Sequence, residues 1–341
     1  MRILMTVSAN PHVLAPMYLR GLTGAPCQVR GFDLPSGAGR GLRRKVLRRI
    51  MPRAAFPEAN AVLEAEVAGF RPDAVWIFKG MEIYPGTLRG LRARGITLVN
   101  YNPDHPVDYY AAGTGNANVR DAVPLYDLYL TYSGRIAAEM GEKYPGLKVG
   151  VIPFGHDVSA EKFAQIEGEE EVVRACLLAA PDADRRRVVM AVAEAGIPLD
   201  IYGLGWDRFV SPRPNLRIHP FASGDEMQRV LRRYRVQLNI FRPHNAGSHN
   251  MRSFEVPAVG GIMLAEDSPE HRRFFEAGRE AFYFTGTADM IAKTREILDM
   301  AKDRADEVRA AARRRSVDSG YSYKDRAQAA LREIMSVRAA T

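Results

Sequence analysis

The sequence is poor in cysteine. Cys27 and Cys176 are the two in 341 residues, and neither sits in a C-x-x-C or Cys/His ligand spacing. That excludes a disulfide framework and a structural zinc site, and a reducing compartment is expected. Long apolar runs are missing as well: nothing approaches the roughly 20 apolar residues of a membrane span. The opening MRILMTVSAN returns to polar residues too soon for the apolar region of a secretion signal, so the expected location is the cytoplasm. There is no repeat of solenoid period. A dinucleotide fingerprint is missing too, because Pro35-Ser36-Gly37-Ala38-Gly39 lacks the strand–G-x-G-x-x-G–helix order and reads as a flexible loop.

What remains is ordinary globular material. Apolar residues make up 46% and charged residues 26%, which leaves no room for a mainly disordered or low-complexity chain. The length of 341 residues favours two domains of about 150 residues each. Forty-eight Lys and Arg against 40 Asp and Glu give +8, an excess that favours anionic partners such as phosphates, acidic lipids or nucleic acid.

Short β-rich runs alternate with helical patterns. The runs Ile3 to Val7, Ala74 to Phe78, Ile96 to Asn100, Leu128 to Thr131 and Val149 to Ile152 predict strands, and Pro57 opens a helix that Gly69 closes. After Phe154-Gly155-His156-Asp157 comes a charged stretch, Glu167 to Glu171, that reads as a linker or an exposed helix start. The alternation then resumes from Val172 to Ala265, with strands expected at 172–178, 199–202, 216–219, 236–241 and 262–265. Strand–helix alternation predicts βαβ units and parallel sheets, hence two successive α/β domains, 1–157 and 158–320. The segment 321–341 is a final amphipathic helix with Ala327, Ala330, Leu331 and Ile334 on one face.

Chemistry concentrates in HNMRSFEVPAVGGIMLAEDSPEHRRFF, His249 to Phe275. The polar cluster His249, Asn250, Arg252 and Glu255 enters a helix, Gly260-Gly261 ends it, a buried strand follows, and Ser268-Pro269-Glu270 opens the next helix. Charges at a strand-to-helix turn on the carboxyl edge of a parallel sheet sit where α/β domains bind ligands. By composition alone the same residues also suit a solvated helix with a glycine stop, and Arg252 and Glu255 suit an i,i+3 ion pair.

The run Asn250-Met251-Arg252-Ser253-Phe254-Glu255, with Ala258-Val259-Gly260-Gly261, Pro269-Glu270 and Phe274-Phe275, resembles the signature of group-1 glycosyltransferases of the spore-maturation type. Val151-Ile152-Pro153-Phe154-Gly155, Ile201 to Trp206, Gln237 to Ile240 and Tyr321 to Arg326 resemble the same family, so the likeness covers about residues 150–335. It implies the GT-B fold, two Rossmann-like domains facing across a cleft, with the last helix crossing back to the first domain. It also implies a hexosyltransferase-like enzyme that moves a sugar from a nucleotide-diphospho-sugar to a hydroxyl of a glycan, lipid-linked glycan or protein, without a metal or resident cofactor. Asp182-Ala183-Asp184 has the spelling of a metal-binding D-x-D triplet but stands in the phosphate loop of this fold.

Glu255 then corresponds to the carboxylate that accepts hydrogen bonds from the donor ribose, a geometry that favours a charged acceptor. The family's second glutamate, eight positions earlier, is replaced here by Gly247, and His249, Asn250 and Arg252 are the candidates to take over its contacts. Arg252 is also placed to neutralise the diphosphate. Arg185 is a second phosphate candidate, in a loop where Ala179 and Ala180 stand instead of the family's glycine, and Gly203 ends a donor-domain strand. In the first domain Asn102-Pro103-Asp104-His105-Pro106 loosely resembles the family's acidic loop. His12 and Asp104 are the leading candidates for the acceptor base, followed by Glu82, with His105 and His244 weaker; each base candidate needs hydrogen-bond reach to an acceptor hydroxyl.

The segment Arg40 to Arg53 surrounds Leu42, Val46, Leu47 and Ile50 with arginines and a lysine. Such a helix either lies on an anionic membrane, here the inner face, or packs its apolar stripe on the core. Two rivals stand beside the transferase reading: a glycosyltransferase acting on modified DNA bases, from the positive charge, and a catalytically degenerate binding protein, from Gly247 and the missing loop glycine.

Overall fold

The computed structural model describes residues 1–10, 13–35, 51–108, 114–242 and 245–339. His12, His244 and most of the basic Arg40–Arg53 segment lie outside the described residues. The chain forms two compact units, Met1–Pro153 with Tyr323–Thr341, and Phe154–Ser322.

In the first unit, strands β1 (Arg2–Val7), β2 (Gln28–Asp33), β3 (Ala74–Phe78), β4 (Thr97–Asn102), β5 (Leu128–Thr131) and β6 (Lys148–Val151) form a sheet of order β2-β1-β3-β4-β5-β6. Helices α1 (Leu14–Gly21), α2 (Pro57–Phe70), α3 (Pro85–Ala93), α4 (Ala117–Ala122) and α5 (Gly134–Lys143) are the connections. Every pairing in the sheet is parallel. The central strands explain why: all residues of β4 and β5 are buried, as expected of strands covered on both faces by helices.

The second unit repeats the plan. Helix α6 (Ala160–Ile166) leads into β7 (Val172–Leu178), α7 (Ala183–Glu194), β8 (Leu199–Tyr202), β9 (Leu216–His219), α8 (Gly224–Arg233) and β10 (Tyr234–Asn239). Then come α9 (Arg252–Ala258), β11 (Met263–Glu266), α10 (Pro269–Phe274), β12 (Phe282–Phe284), α11 (Thr287–Leu298) and α12 (Lys302–Asp318). Its sheet is again parallel, in the order β12-β11-β10-β7-β8-β9. The core packs β7, β8, β10 and β11 residues such as Leu177, Ile201, Val236 and Leu264 against α7 and α11.

The boundary between the units differs from the sequence reading for a local reason, while the last helix returns to the first unit as the resemblance implied. The Phe154 N–H donates to His249 Nε2 (3.2 Å) and the His156 N–H to the Tyr321 carbonyl (3.1 Å), which ties residues 154–156 to the second unit. The last helix, α13 (Tyr323–Ala339), belongs to the first unit, where it packs on α1. Gly21 permits that approach: a Cβ there would lie 2.9 Å from Lys324 Cα and from the Tyr323 carbonyl. Tyr18 and Tyr323 meet beside it, with ring centroids 5.7 Å apart.

The charged 167–171 stretch is an anchor inside the second unit. Arg235 grips Glu171 with two hydrogen bonds (2.8 and 2.6 Å), and Arg309 adds a third (2.9 Å), both guanidinium groups being almost fully buried. Burial pushes the Glu171 carboxyl up, but the Arg235 hydrogen bonds and the Arg309 charge outweigh it and hold the group below the usual carboxylate range. Its contribution is therefore present above the ordinary carboxylate pKa and fades as pH falls through the depressed folded value. Glu171→Gln strands two buried cations and should destabilise the protein by about 3–5 kcal/mol at neutral pH, the range for breaking a buried pair from one side. Urea unfolding at pH 7 and again below about pH 4 checks this; the gap between wild type and variant should shrink in acid, and an equal gap at both pH values refutes the assignment.

Candidate functional site

The carboxyl ends of β7, β10 and β11 converge on one edge of the second sheet, and the turns after them carry most of the candidate residues. The turn after β10 is built on reciprocal hydrogen bonds: the Ser253 N–H donates to Asn250 Oδ1 (3.2 Å) and the Asn250 N–H to Ser253 Oγ (3.1 Å), the logic of a helix capping box. Asn250 Nδ2 donates to Asn239 Oδ1 at the end of β10 (2.7 Å). This pins the start of α9, whose first turn carries Arg252 and Glu255.

From the neighbouring α10, His271 completes the clamp. Its Nδ1–H donates to the Glu266 carbonyl (2.8 Å), so Nε2 is the acceptor for the Ser253 hydroxyl (2.7 Å). Burial drives the His271 pKa down to about 4, a shift that the bond to the Glu266 carbonyl only partly opposes, and the ring is neutral at physiological pH. Tyr283 stacks on it at 5.4 Å between centroids.

Arg252 and Glu255 form an ion pair within the first turn of α9. Glu255 is buried and Arg252 half-buried, and Arg252 Nε is buried with no hydrogen-bond partner among the described residues. His249, next in line, is fully buried: Nε2 accepts from the Phe154 N–H, so Nδ1–H donates to Glu270 (2.6 Å), which also takes the Ser248 hydroxyl (2.5 Å). With both ring nitrogens engaged, among Phe154, Phe254 and Phe274, His249 holds the turn in place. The turn reverses at Gly247, which has φ +74, a conformation that a glutamate at this position would find strained.

Arg185, capped through Asp182, reaches from the start of α7 to the Ala180 carbonyl (3.2 Å) and the Ile240 carbonyl (3.1 Å), joining the loops after β7 and β10. Its charge also bears on half-buried Glu266: desolvation raises that carboxyl's pKa, while the Phe241 N–H bond and Arg185 partly offset the rise. Gly203 serves close packing: a Cβ would lie 2.3 Å from the Ala179 carbonyl, which also accepts from Trp206 Nε1 (2.7 Å). Arg185, Asn250, Arg252 and Glu255 thus share one edge, held by Asn239, Ser253, Glu266 and His271, four residues whose roles the sequence did not announce. Pro269-Glu270 in the signature was the nearest available signal for the contribution of α10.

In the first unit Asp104 follows β4. Lys79 Nζ lies 2.6 Å from its carboxylate, and its N–H donates to Asn102 Oδ1 (3.0 Å). His105 is committed: Nδ1 accepts from the Asp108 N–H (2.8 Å), so Nε2–H donates to Glu139 (2.9 Å). Glu82 contributes its carbonyl to buried Asn60 (2.9 Å). Among the described residues no group of three His, Cys, Asp or Glu side chains is placed to hold a metal, and no helix is long and apolar enough to cross a membrane.

The whole chain resembles several solved structures. Sucrose-phosphate synthase from Thermosynechococcus elongatus superposes with a TM-score of 0.72 at 13% identity, covering 100% of both chains. Anabaena Alr3699/HepE, solved in complex with UDP-glucose, gives 0.64 at 13% identity, covering 98% of this chain and 100% of that one. UDP-GlcNAc 2-epimerase from Neisseria meningitidis, bound to UDP-GlcNAc, gives 0.57 at 12% identity, covering 98% and 100%. These likenesses establish the fold, two Rossmann-like α/β units of the GT-B type. Among curated proteins none matches the chain. Residues 185–332, which hold Arg185, Asn250, Arg252 and Glu255, match the family model described as glycosyl transferase-like.

Proposed function

We propose that the protein is a nucleotide-sugar-dependent glycosyltransferase whose second unit binds the donor. The observation that carries this reading is the Arg252–Glu255 pair at the carboxyl edge of the second sheet, with a buried Arg252 N–H left unpartnered, inside the stretch that matches the glycosyl transferase-like family. The solved relatives that hold UDP or UDP-sugars support a uridine nucleotide as the donor class. Epimerases share the fold, so fold alone does not choose the reaction; the family match favours transfer.

In this reading Glu255 accepts hydrogen bonds from the ribose hydroxyls while Arg252 turns its remaining N–H groups to the diphosphate. A base takes the proton of the acceptor hydroxyl, the oxygen attacks the anomeric carbon, and the bond to the diphosphate breaks with its electron pair leaving on the nucleotide. Arg252 stabilises that developing charge. The base comes from the first unit, with His12 and Asp104 as candidates; Asp104 has to exchange Lys79 for the acceptor hydroxyl. The acceptor is a glycan, lipid-linked glycan or protein hydroxyl.

Glu255→Ala should weaken UDP-sugar binding by about 1.5–3 kcal/mol, the range for hydrogen bonds to a charged group. Calorimetric titration of a folded variant that keeps full affinity would remove Glu255 from the site. Because Arg252 rather than a metal carries the diphosphate charge here, turnover should persist in EDTA; loss of activity that Mn²⁺ restores contradicts that role. His12→Ala or Asp104→Asn should lower transfer about 10²–10⁴-fold while donor affinity stays intact. If both variants transfer at the wild-type rate, the base lies elsewhere, and if the wild type binds UDP-sugars without transferring or hydrolysing them, the protein is a binding protein.

A further inference from the structure

The second unit has a half-open pocket on the edge of its sheet opposite to the candidate site. Its walls come from the amino ends of the strands: the Glu167–Glu171 stretch before β7, Arg232 and Arg233 before β10, Gly260 before β11, and one side of α12 with Arg313 and Arg314. The cavity measures about 810 Å³, within the size range of small-molecule sites. Ligand sites of parallel α/β sheets lie at the carboxyl ends of the strands, so a pocket here needs its own explanation.

Its electrostatics are lopsided once the internal pairs are set aside. Glu171 is consumed by Arg235 and Arg309, Asp306 by Lys302 (2.5 Å) and Glu169 by Arg229 (3.5 Å). Arg232, Arg313 and Arg314 have no carboxylate within ion-pair distance among the described residues. Arg313 lies over the Phe163 ring (4.5 Å to the centroid) and donates one Nη1–H to the Ala258 carbonyl (2.9 Å); burial lowers its pKa. Arg232 is held by the Gly260 and Glu167 carbonyls (3.2 and 2.9 Å). Burial lowers its pKa too, against the weaker pull of Asp306, Glu171 and Glu167. Exposed Arg314 stands at the rim. A guanidinium has five N–H donors in a planar fork, and those that Arg313 does not spend on Ala258 suit the oxygens of a phosphoryl group.

We propose that this pocket is a second anion site, which takes a soluble phosphorylated small molecule on Arg232, Arg313 and Arg314 independently of the Arg252–Glu255 edge. Arg232 and Arg313 are held in place and half-buried, so an incoming phosphoryl group offsets their desolvation, while exposed Arg314 adds charge at the rim. Glu167 and Glu170, exposed on the wall formed by the 167–171 stretch, repel an anion on that side, so the phosphoryl group seats against the arginines of α12.

Inorganic pyrophosphate is the probe, titrated by calorimetry into the full chain. Arg313→Gln and Arg314→Glu should each weaken binding about tenfold, as expected for loss of one charge-assisted contact, while Arg252→Ala leaves that binding event unchanged. Arg314 is exposed and makes no hydrogen bond or ion pair among the described residues, so its variant decides the matter if Arg313→Gln is unstable. The proposal is overturned if pyrophosphate gives no heat up to about 10 mM, if both pocket variants bind as the wild type does, or if Arg252→Ala alone abolishes binding. It is equally overturned if phosphatidylglycerol vesicles sediment the protein through Arg313 and Arg314 while pyrophosphate neither binds nor competes.

Discussion

Two buried neutral imidazoles, His249 and His271, fix the turn on which the candidate site depends. Each has both nitrogens committed, one as donor and one as acceptor, so each works in a single tautomer. Protonation of His271 would cost the Ser253 bond and place a charge among Phe241 and Tyr283, which is why burial pulls its pKa to about 4. Because α10 supplies Glu270 and His271 as consecutive residues, one short helix grips both sides of the turn. The orientation of Arg252 and Glu255 follows from that grip and from the Asn250–Ser253 exchange.

The same turn explains how the unit serves opposite ends of its sheet. Helix α9 has seven residues, which at 1.5 Å per residue span about 10 Å. Its first turn faces the carboxyl edge with Arg252, while its last carbonyl, that of Ala258, accepts Arg313 beside the opposite pocket. Gly260, just beyond, receives Arg232 and Arg309. A short helix thus stands with cations over its carbonyl end, the polarity that favours positive charge there; of these arginines Arg309 is paired with Glu171, while Arg232 and Arg313 have no carboxylate within ion-pair distance among the described residues.

Much of the architecture was legible in the sequence. Strands such as Ala74–Phe78 and Leu199–Tyr202 are buried runs bounded by turn residues, and the structure has them with those limits. Strand β2, QVRGFD, escaped because an edge strand with alternating exposure and an internal glycine has no apolar run to announce it. Strand β12 is only three residues long. Helix α12 buries Ala305, Val308, Arg309, Ala312 and Ser316, a face too small and too polar to read as amphipathic, and its arginine is buried because Glu171, 138 residues away, meets it.

The polar cluster at the carboxyl edge of the second sheet was legible in the sequence, the division of labour along it less so. Sequence groups His249, Asn250, Arg252 and Glu255 as equals because all are polar and adjacent. Three dimensions separate them: His249 and Asn250 spend their polar atoms on the protein, and the Arg252–Glu255 pair retains an unpartnered N–H. Nor could spacing reveal that Lys79 sits on Asp104, or that Arg185 bonds the Ile240 carbonyl 55 residues away. Such contacts arise when a parallel sheet brings strand ends from distant parts of the chain to one edge. The fold therefore decides which charges are already satisfied, and only the unsatisfied ones are left to meet a ligand.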